Sequence, residues 1–151
     1  MNAVLPSPLL RAGLALDAVG SGGMALLQLA ATAQLAVWLQ LPHPLLLGTG
    51  LFMLGYAALT GWMARAPRLP VSLVRGVVIG NVGWAVAVAV LVLAAAVAPS
   101  PLGFGFLAVH AVSVLGFAAL QGPGLARSPS AATAANISVL TETSGGRTMR
   151  S

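Results

Sequence analysis

Asp17 is the one acid set inside an apolar stretch of this 151-residue chain; the other, Glu142, lies in a polar C-terminal segment. Holding an ionisable carboxyl at the centre of a membrane helix costs roughly 2.5–3.5 kcal/mol on the insertion scale. Such a residue is expected to face other helices rather than lipid. Its face follows from a turn of about 100° per residue: Gly20 and Ser21 lie at i+3 and i+4, Met24 at i+7 and Gln28 at i+11. The result is a stripe of polar and small residues, Asp17, Gly20, Ser21, Gln28 and Thr32. An acid so placed could exchange a proton or bind a cation. It could equally accept hydrogen bonds from neighbouring helices and fix their register, at an average of about 0.6 kcal/mol per bond in membranes. Without a basic partner, Asp17 leans toward the second role.

The other polar residues fall into depths that the arginines mark. Asp17 is six residues from Arg11, Asn81 six from Arg75, Gln121 six from Arg127, and Thr60 five from Arg65. At about 1.5 Å per residue, all four lie about 9 Å inside these markers. Together with Ser21, they form a candidate intramembrane site, which Tyr56 and Trp84, one turn deeper, would roof. A second polar layer is expected deeper still. Gln28 is seventeen residues from Arg11, His110 seventeen from Arg127, and Thr49 sixteen from Arg65.

Other chemistries find little support. There is no cysteine, which excludes disulfides, thiolate metal sites and cysteine nucleophiles. A haem would need a second axial ligand for His110, and the one other histidine, His43, sits in a loop. No nucleophile–base pair, paired carboxylate or metal-ligand cluster is apparent. The sequence therefore points to a protein that is not an enzyme and carries no cofactor.

The elements that must position these residues are apolar helices. The chain is 58% hydrophobic and 6% charged, with mean hydropathy +0.97. Soluble domains carry about 25% charged residues, so the lipid bilayer is the expected solvent. Four apolar stretches, about 9–39, 45–63, 73–97 and 102–120, each reach the ~18–20 residues that span ~30 Å of hydrocarbon. Proline clusters at Pro42/Pro44, Pro67/Pro70 and Pro99/Pro101 separate them, since proline cannot continue a helix. The fold class is all-α: a polytopic bundle of four transmembrane helices within residues 1–121, consecutive helices being antiparallel neighbours. Gly20-Ser21-Gly22-Gly23 would allow either close packing or a break in the first helix. Gly76, Gly80 and Gly83 on the third suggest close helix packing, inside the chain or in a homo-oligomer or membrane complex.

The +5 charge comes from seven arginines, no lysine and two acids. Arg11, Arg65, Arg68, Arg75 and Arg127 all flank the N-terminus, the second loop or the end of the fourth helix. The positive-inside bias then puts both termini in the cytoplasm. This is a topology signal rather than a nucleic-acid surface. Arginine without lysine, in a chain rich in Ala, Leu, Val and Gly, suggests a bacterium and its inner (plasma) membrane. Ala31-Thr32-Ala33 resembles a signal-peptide cleavage site, but Asp17 interrupts the apolar region, which is also too long. Residues 122–151 turn rich in Ser, Thr, Gly and Ala and are expected to form a disordered cytoplasmic tail. There, Asn136-Ile137-Ser138 matches a glycosylation acceptor on the wrong side of the membrane. A short internal repeat pairs Arg11…Asp17 with Arg75…Asn81, and Pro42-His43-Pro44-Leu45 with Pro99-Ser100-Pro101-Leu102. It would make two parallel helical-hairpin repeats.

With Asp17-Ala-Val-Gly-Ser21-Gly22, Tyr56, Trp62-Met-Ala-Arg65 and Asn81-Val-Gly-Trp84, residues 9–127 resemble uncharacterised small four-helix bacterial inner-membrane proteins. That likeness implies location and architecture, with no activity attached. The chain is also similar to small multidrug-resistance transporters, where an essential helix-1 Glu would correspond to Asp17, although their aromatic-rich cavity is missing here. The expectation is a structural or accessory membrane component; the alternative is a proton-coupled small-molecule transporter using Asp17.

Overall fold

The computed structural model describes residues 3–133. Its elements run β1 (Ala3–Val4), α1 (Pro8–Ala30), α2 (Thr32–Leu39), α3 (His43–Arg65), β2 (Leu69–Pro70), α4 (Val71–Leu93) and α5 (Pro101–Ala126). Four of these, α1, α3, α4 and α5, are long and apolar enough to cross a membrane. The fold is a bundle of these four, and their boundaries follow local chemistry. The Ser7 and Ser100 hydroxyls accept from the third backbone N–H beyond them, capping α1 and α5. Proline occupies the first turn of α1, α3 and α5, where its missing N–H costs nothing.

The single helix expected over 9–39 is divided. Ala31, at φ −123° and ψ 25°, separates α1 from α2, although the N–H of Leu35 still reaches the Ala31 carbonyl at 2.9 Å. Beside it the Thr32 hydroxyl bonds back to the carbonyls of Gln28 and, at 3.3 Å, Leu29. Such back-bonding bends helices, so residues 8–39 form one bent segment. The Gly20–Gly23 run, by contrast, does not break α1.

At its other end the bundle exceeds expectation. The fourth helix continues to Ala126 through Pro123, so residues 122–126 are not part of a disordered tail. Tertiary contact holds this last turn. The Ser7 hydroxyl donates to the Gly124 carbonyl at 2.7 Å, and a Cβ on Gly124 would lie 2.7 Å from the Leu10 nitrogen. Only glycine permits that approach. Beyond the helix, the Leu5 N–H donates to the Pro129 carbonyl at 3.0 Å, and the Ser7 N–H to the Ser128 hydroxyl at 3.0 Å. The rest of the expected tail, residues 134–151, with Glu142, Arg147, Arg150 and the Asn136 motif, lies outside the described residues.

The all-α expectation needs one amendment. β1 pairs antiparallel with β2, Ala3 opposite Pro70 and Val4 opposite Leu69. This small clasp brings the N-terminus, the second loop and the segment after α5 to one end of the bundle. All five arginines of the described residues flank that end.

Consecutive helices are not all neighbours. α1 packs along α3 and α5, and α4 packs along α5, whereas the backbones of α3 and α4 stand apart despite their short connection and meet through the side chains of Tyr56 and Asn81 and of Phe52 and Trp84. The order around the bundle is therefore α3–α1–α5–α4, with a gap between α3 and α4. Two apolar clusters fill the ends. Leu10, Leu14, Met63, Leu69 and Val74 lie at the clasp end; Leu35, Leu39, Leu46 and Leu107 lie at the other. At that far end, the Ser100 N–H donates to the Leu39 carbonyl at 2.9 Å and its hydroxyl to the Trp38 carbonyl at 2.7 Å, tying α2 to α5. Outward-facing residues such as Val19, Ile79, Leu93 and Val112 are apolar and exposed, as lipid contact requires. Trp38 and Trp62, at helix ends, are exposed too.

Candidate functional site

Between the two apolar clusters lies a polar layer centred on Asp17, which is fully buried (0% exposed). Its carboxyl group receives four hydrogen bonds. The Ser21 hydroxyl, one turn along α1, donates to Oδ1 at 3.0 Å. Tyr56 of α3 donates its hydroxyl to Oδ2 at 3.0 Å, Asn81 of α4 donates Nδ2 at 2.9 Å, and Gln121 of α5 donates Nε2 at 2.8 Å. Every contact is a donor, the set that an acceptor-only carboxylate satisfies. The donors are also linked to one another. Asn81 Nδ2 reaches Gln121 Oε1 at 3.2 Å, and the Tyr56 hydroxyl also lies 3.0 Å from Asn81 Oδ1. Each of the four spanning helices contributes at least one member.

The partners of Asp17 are all uncharged side chains. Among the described residues no arginine is a hydrogen-bond partner of Asp17; Arg11 and Arg65 instead donate to the carbonyls of Ala64 and Gly61. The two oxygens of Asp17 are met by hydrogen bonds from neutral groups. In hydrocarbon an unmet carboxylate has no water to fall back on, so the four donors are what makes Asp17 tolerable.

Thr60 does not join this cluster. It is buried, but its hydroxyl donates to the Tyr56 and Ala57 carbonyls of its own helix, at 3.1 and 3.3 Å. Trp84 makes no hydrogen bond to the acid among the described residues. It stacks on Phe52, ring centroids 5.3 Å apart and planes 4° apart, across the gap between α3 and α4. Its indole N–H is buried and has no acceptor among the described residues. Phe52 also stacks on Tyr56; no sequence signal marked its role, since a phenylalanine in an apolar helix is ordinary.

The second layer is brought together in part. The Thr49 hydroxyl lies 2.8 Å from Gln28 Oε1 and 2.7 Å from the carbonyl of Leu45. Gln28 Nε2 reaches only the Met53 sulfur, at 4.0 Å. His110 bonds to neither; it packs on Trp84, ring centroids 6.0 Å apart. All three line one cavity of about 180 Å³ with Trp84 and apolar residues of α3, α4 and α5. A smaller space of about 60 Å³, lined by Ser21, Tyr56 and Asn81 among others, shares Trp84 and His110 with it.

The glycines divide by position. A Cβ on Gly103 would sit 2.1 Å from the Leu39 carbonyl oxygen, and one on Gly13 3.2 Å from the Leu120 side chain. Gly76, Gly80 and Gly83 have open space instead, so they make no close helix contact within the chain. Among the described residues no three His, Asp or Glu gather as a metal site.

No protein-family model, curated protein or solved structure matches the chain. The four-helix architecture and the Asp17 cluster are thus the basis for any functional reading.

Proposed function

We propose that this protein is a non-enzymatic structural or accessory component of a bacterial inner membrane, and that the Asp17 cluster is the lock that holds its four helices in register. The burial of Asp17 beneath donors from α1, α3, α4 and α5 carries this reading. A carboxylate that titrates during transport must meet water. Asp17 lies buried beneath its donors, and shifting any helix register would strand it. The arginine-flanked clasp end faces the cytoplasm, by the positive-inside bias, so both termini lie inside. The exposed glycine face of α4 (Gly76, Gly80 and Gly83) is the surface offered to a second copy or a partner helix. The arrangement of α1–α3 and α4–α5 as two hairpins, with Asp17 against Asn81, fits an ancestral duplication.

The chain contains no native cysteine, so one introduced thiol reports on water directly. Ser21→Cys, nearly isosteric and beside Asp17, should resist a charged, membrane-impermeant thiol reagent from both sides, whereas Arg68→Cys in the exposed loop should label. Rapid labelling of Ser21→Cys would overturn the sealed-lock reading. It would favour the second one, a proton-coupled small-molecule transporter, to which the 60 Å³ space touching Ser21, Tyr56 and Asn81 lends support.

A further inference from the structure

In the half of the bundle farthest from the clasp, the backbones of α3 and α4 stand apart and leave a lateral gap beyond the Phe52–Trp84 stack. Behind it lies the cavity of about 180 Å³, walled by Leu45, Leu46, Ala87, Val88, Leu91 and Leu107. Apolar cavities of comparable size stay dry and take small apolar guests. Residues that line it also hold hydrogen-bond donors that are unmet or poorly met. The Trp84 N–H is buried without an acceptor among the described residues, an unfavourable state for a polar group. The amide nitrogen of Gln28 has only the Met53 sulfur at 4.0 Å, while its oxygen is already engaged by Thr49. His110 makes no hydrogen bond among the described residues and, when neutral, brings one donor and one acceptor. Donors therefore exceed acceptors, in a greasy pocket facing a lateral gap.

We propose that this cavity binds a bilayer-dissolved molecule presenting a carbonyl oxygen on an apolar body, the carbonyl accepting hydrogen bonds from Trp84 and Gln28. Two sources supply that chemistry in a membrane: a quinone ring and the ester of a lipid acyl chain. Either would arrive sideways from the hydrocarbon rather than from water. The proposal involves binding only and is independent of the role of Asp17, which lines neither cavity.

The test uses the full chain in phosphatidylcholine nanodiscs, with Trp38→Phe and Trp62→Phe leaving Trp84 as the sole tryptophan of the three. Decyl-ubiquinone should quench Trp84 saturably, and decylbenzene, which lacks a carbonyl, should not displace it. Gln28→Leu should raise the half-saturating concentration about fivefold, the equivalent of one lost neutral hydrogen bond. Ala87→Phe, which fills the cavity from an exposed position, should abolish saturation. If the quinone fails but brominated phosphatidylcholine quenches Trp84 in an Ala87→Phe-sensitive way, the lipid ester is the occupant and the site stands. Linear quenching by both probes, indifference to Ala87→Phe, or displacement by decylbenzene would overturn the proposal. Should the double Trp variant not fold, the carbonyl stretch of isotope-labelled decyl-ubiquinone on the wild-type protein decides instead. A hydrogen-bonded shift that Gln28→Leu removes, in the quinone or in carbonyl-labelled phosphatidylcholine measured the same way, supports the site; unshifted carbonyls in both overturn it.

Discussion

Asp17 Oδ2 and Asn81 Nδ2, 64 residues apart in the chain, meet at 2.9 Å in the middle of the bundle. This bond joins α1 to α4, whose backbones lie farther apart than those of α1 and α3 or α1 and α5. Gln121 completes the triangle, donating to Asp17 and accepting from Asn81. Asn81→Ala and Gln121→Ala should each lower unfolding stability in detergent by about 0.6–1.7 kcal/mol, the range of interhelical hydrogen bonds in membranes. Because both donate to one oxygen and bond each other, the double variant should depart measurably from additivity. A strictly additive double-mutant cycle would show that the three side chains do not act as a unit.

Tyr56 and Thr60 make a sharper comparison, since both are polar residues of α3 one turn apart. Tyr56→Phe keeps the ring beside Phe52 but removes the hydroxyl from Asp17, and should cost about 1 kcal/mol. Thr60→Val removes a bond made only within its own helix, and should cost less than about 0.5 kcal/mol. Thermal unfolding of the two variants side by side checks the order.

The close approach at Gly103 is another point of sensitivity. Gly103→Ala drives a methyl into the Leu39 backbone, whose carbonyl also accepts from Ser100. Backbone cannot yield as a flexible side chain does, so a loss of about 1–3 kcal/mol is expected. Gly105→Ala, with open space around it, should be neutral or slightly stabilising through helix propensity. Equal effects in the two variants would contradict the contact.

Orientation is checked by single cysteines. His43→Cys, at the start of α3, and Arg68→Cys, at the clasp end, are both exposed. In inverted membrane vesicles Arg68→Cys should label and His43→Cys should not; intact cells permeabilised only at the outer membrane should give the reverse. In the same vein, Gly80→Leu should dissociate any homo-oligomer seen by sedimentation in detergent, if the α4 face mediates it as we propose.

Much of this arrangement was legible because membrane helices obey a simple ruler. Counting from flanking arginines puts Asp17, Asn81 and Gln121 at one depth, and the structure joins all three. Depth alone does not fix a residue's angle around its helix. Thr60 has the right depth but spends its hydroxyl on its own backbone, while Tyr56, one turn deeper, is long enough to reach back to the acid. The bend at Ala31 escaped because a threonine-to-backbone bond leaves no periodic trace. The β1–β2 clasp escaped because two-residue strands are too short to alternate. The gap between α3 and α4 escaped for a different reason. A short loop, Ala66–Pro70, ordinarily makes antiparallel neighbours, but here the close partner of α3 is α1, through the small residues Gly22, Gly50 and Ala57. The tertiary layer thus overrode a connectivity rule.

Asp17 is proposed above all to hold the bundle together as a hydrogen-bond acceptor. The most direct measurement is the reversible unfolding free energy of Asp17→Asn against wild type in the same lipid. Asparagine keeps the volume but turns one acceptor oxygen into a donor, facing the donors Tyr56, Asn81 and Gln121. A lock of this kind predicts a loss of about 1.5–3 kcal/mol with helix content unchanged. An Asp17→Asn protein as stable as wild type would contradict it.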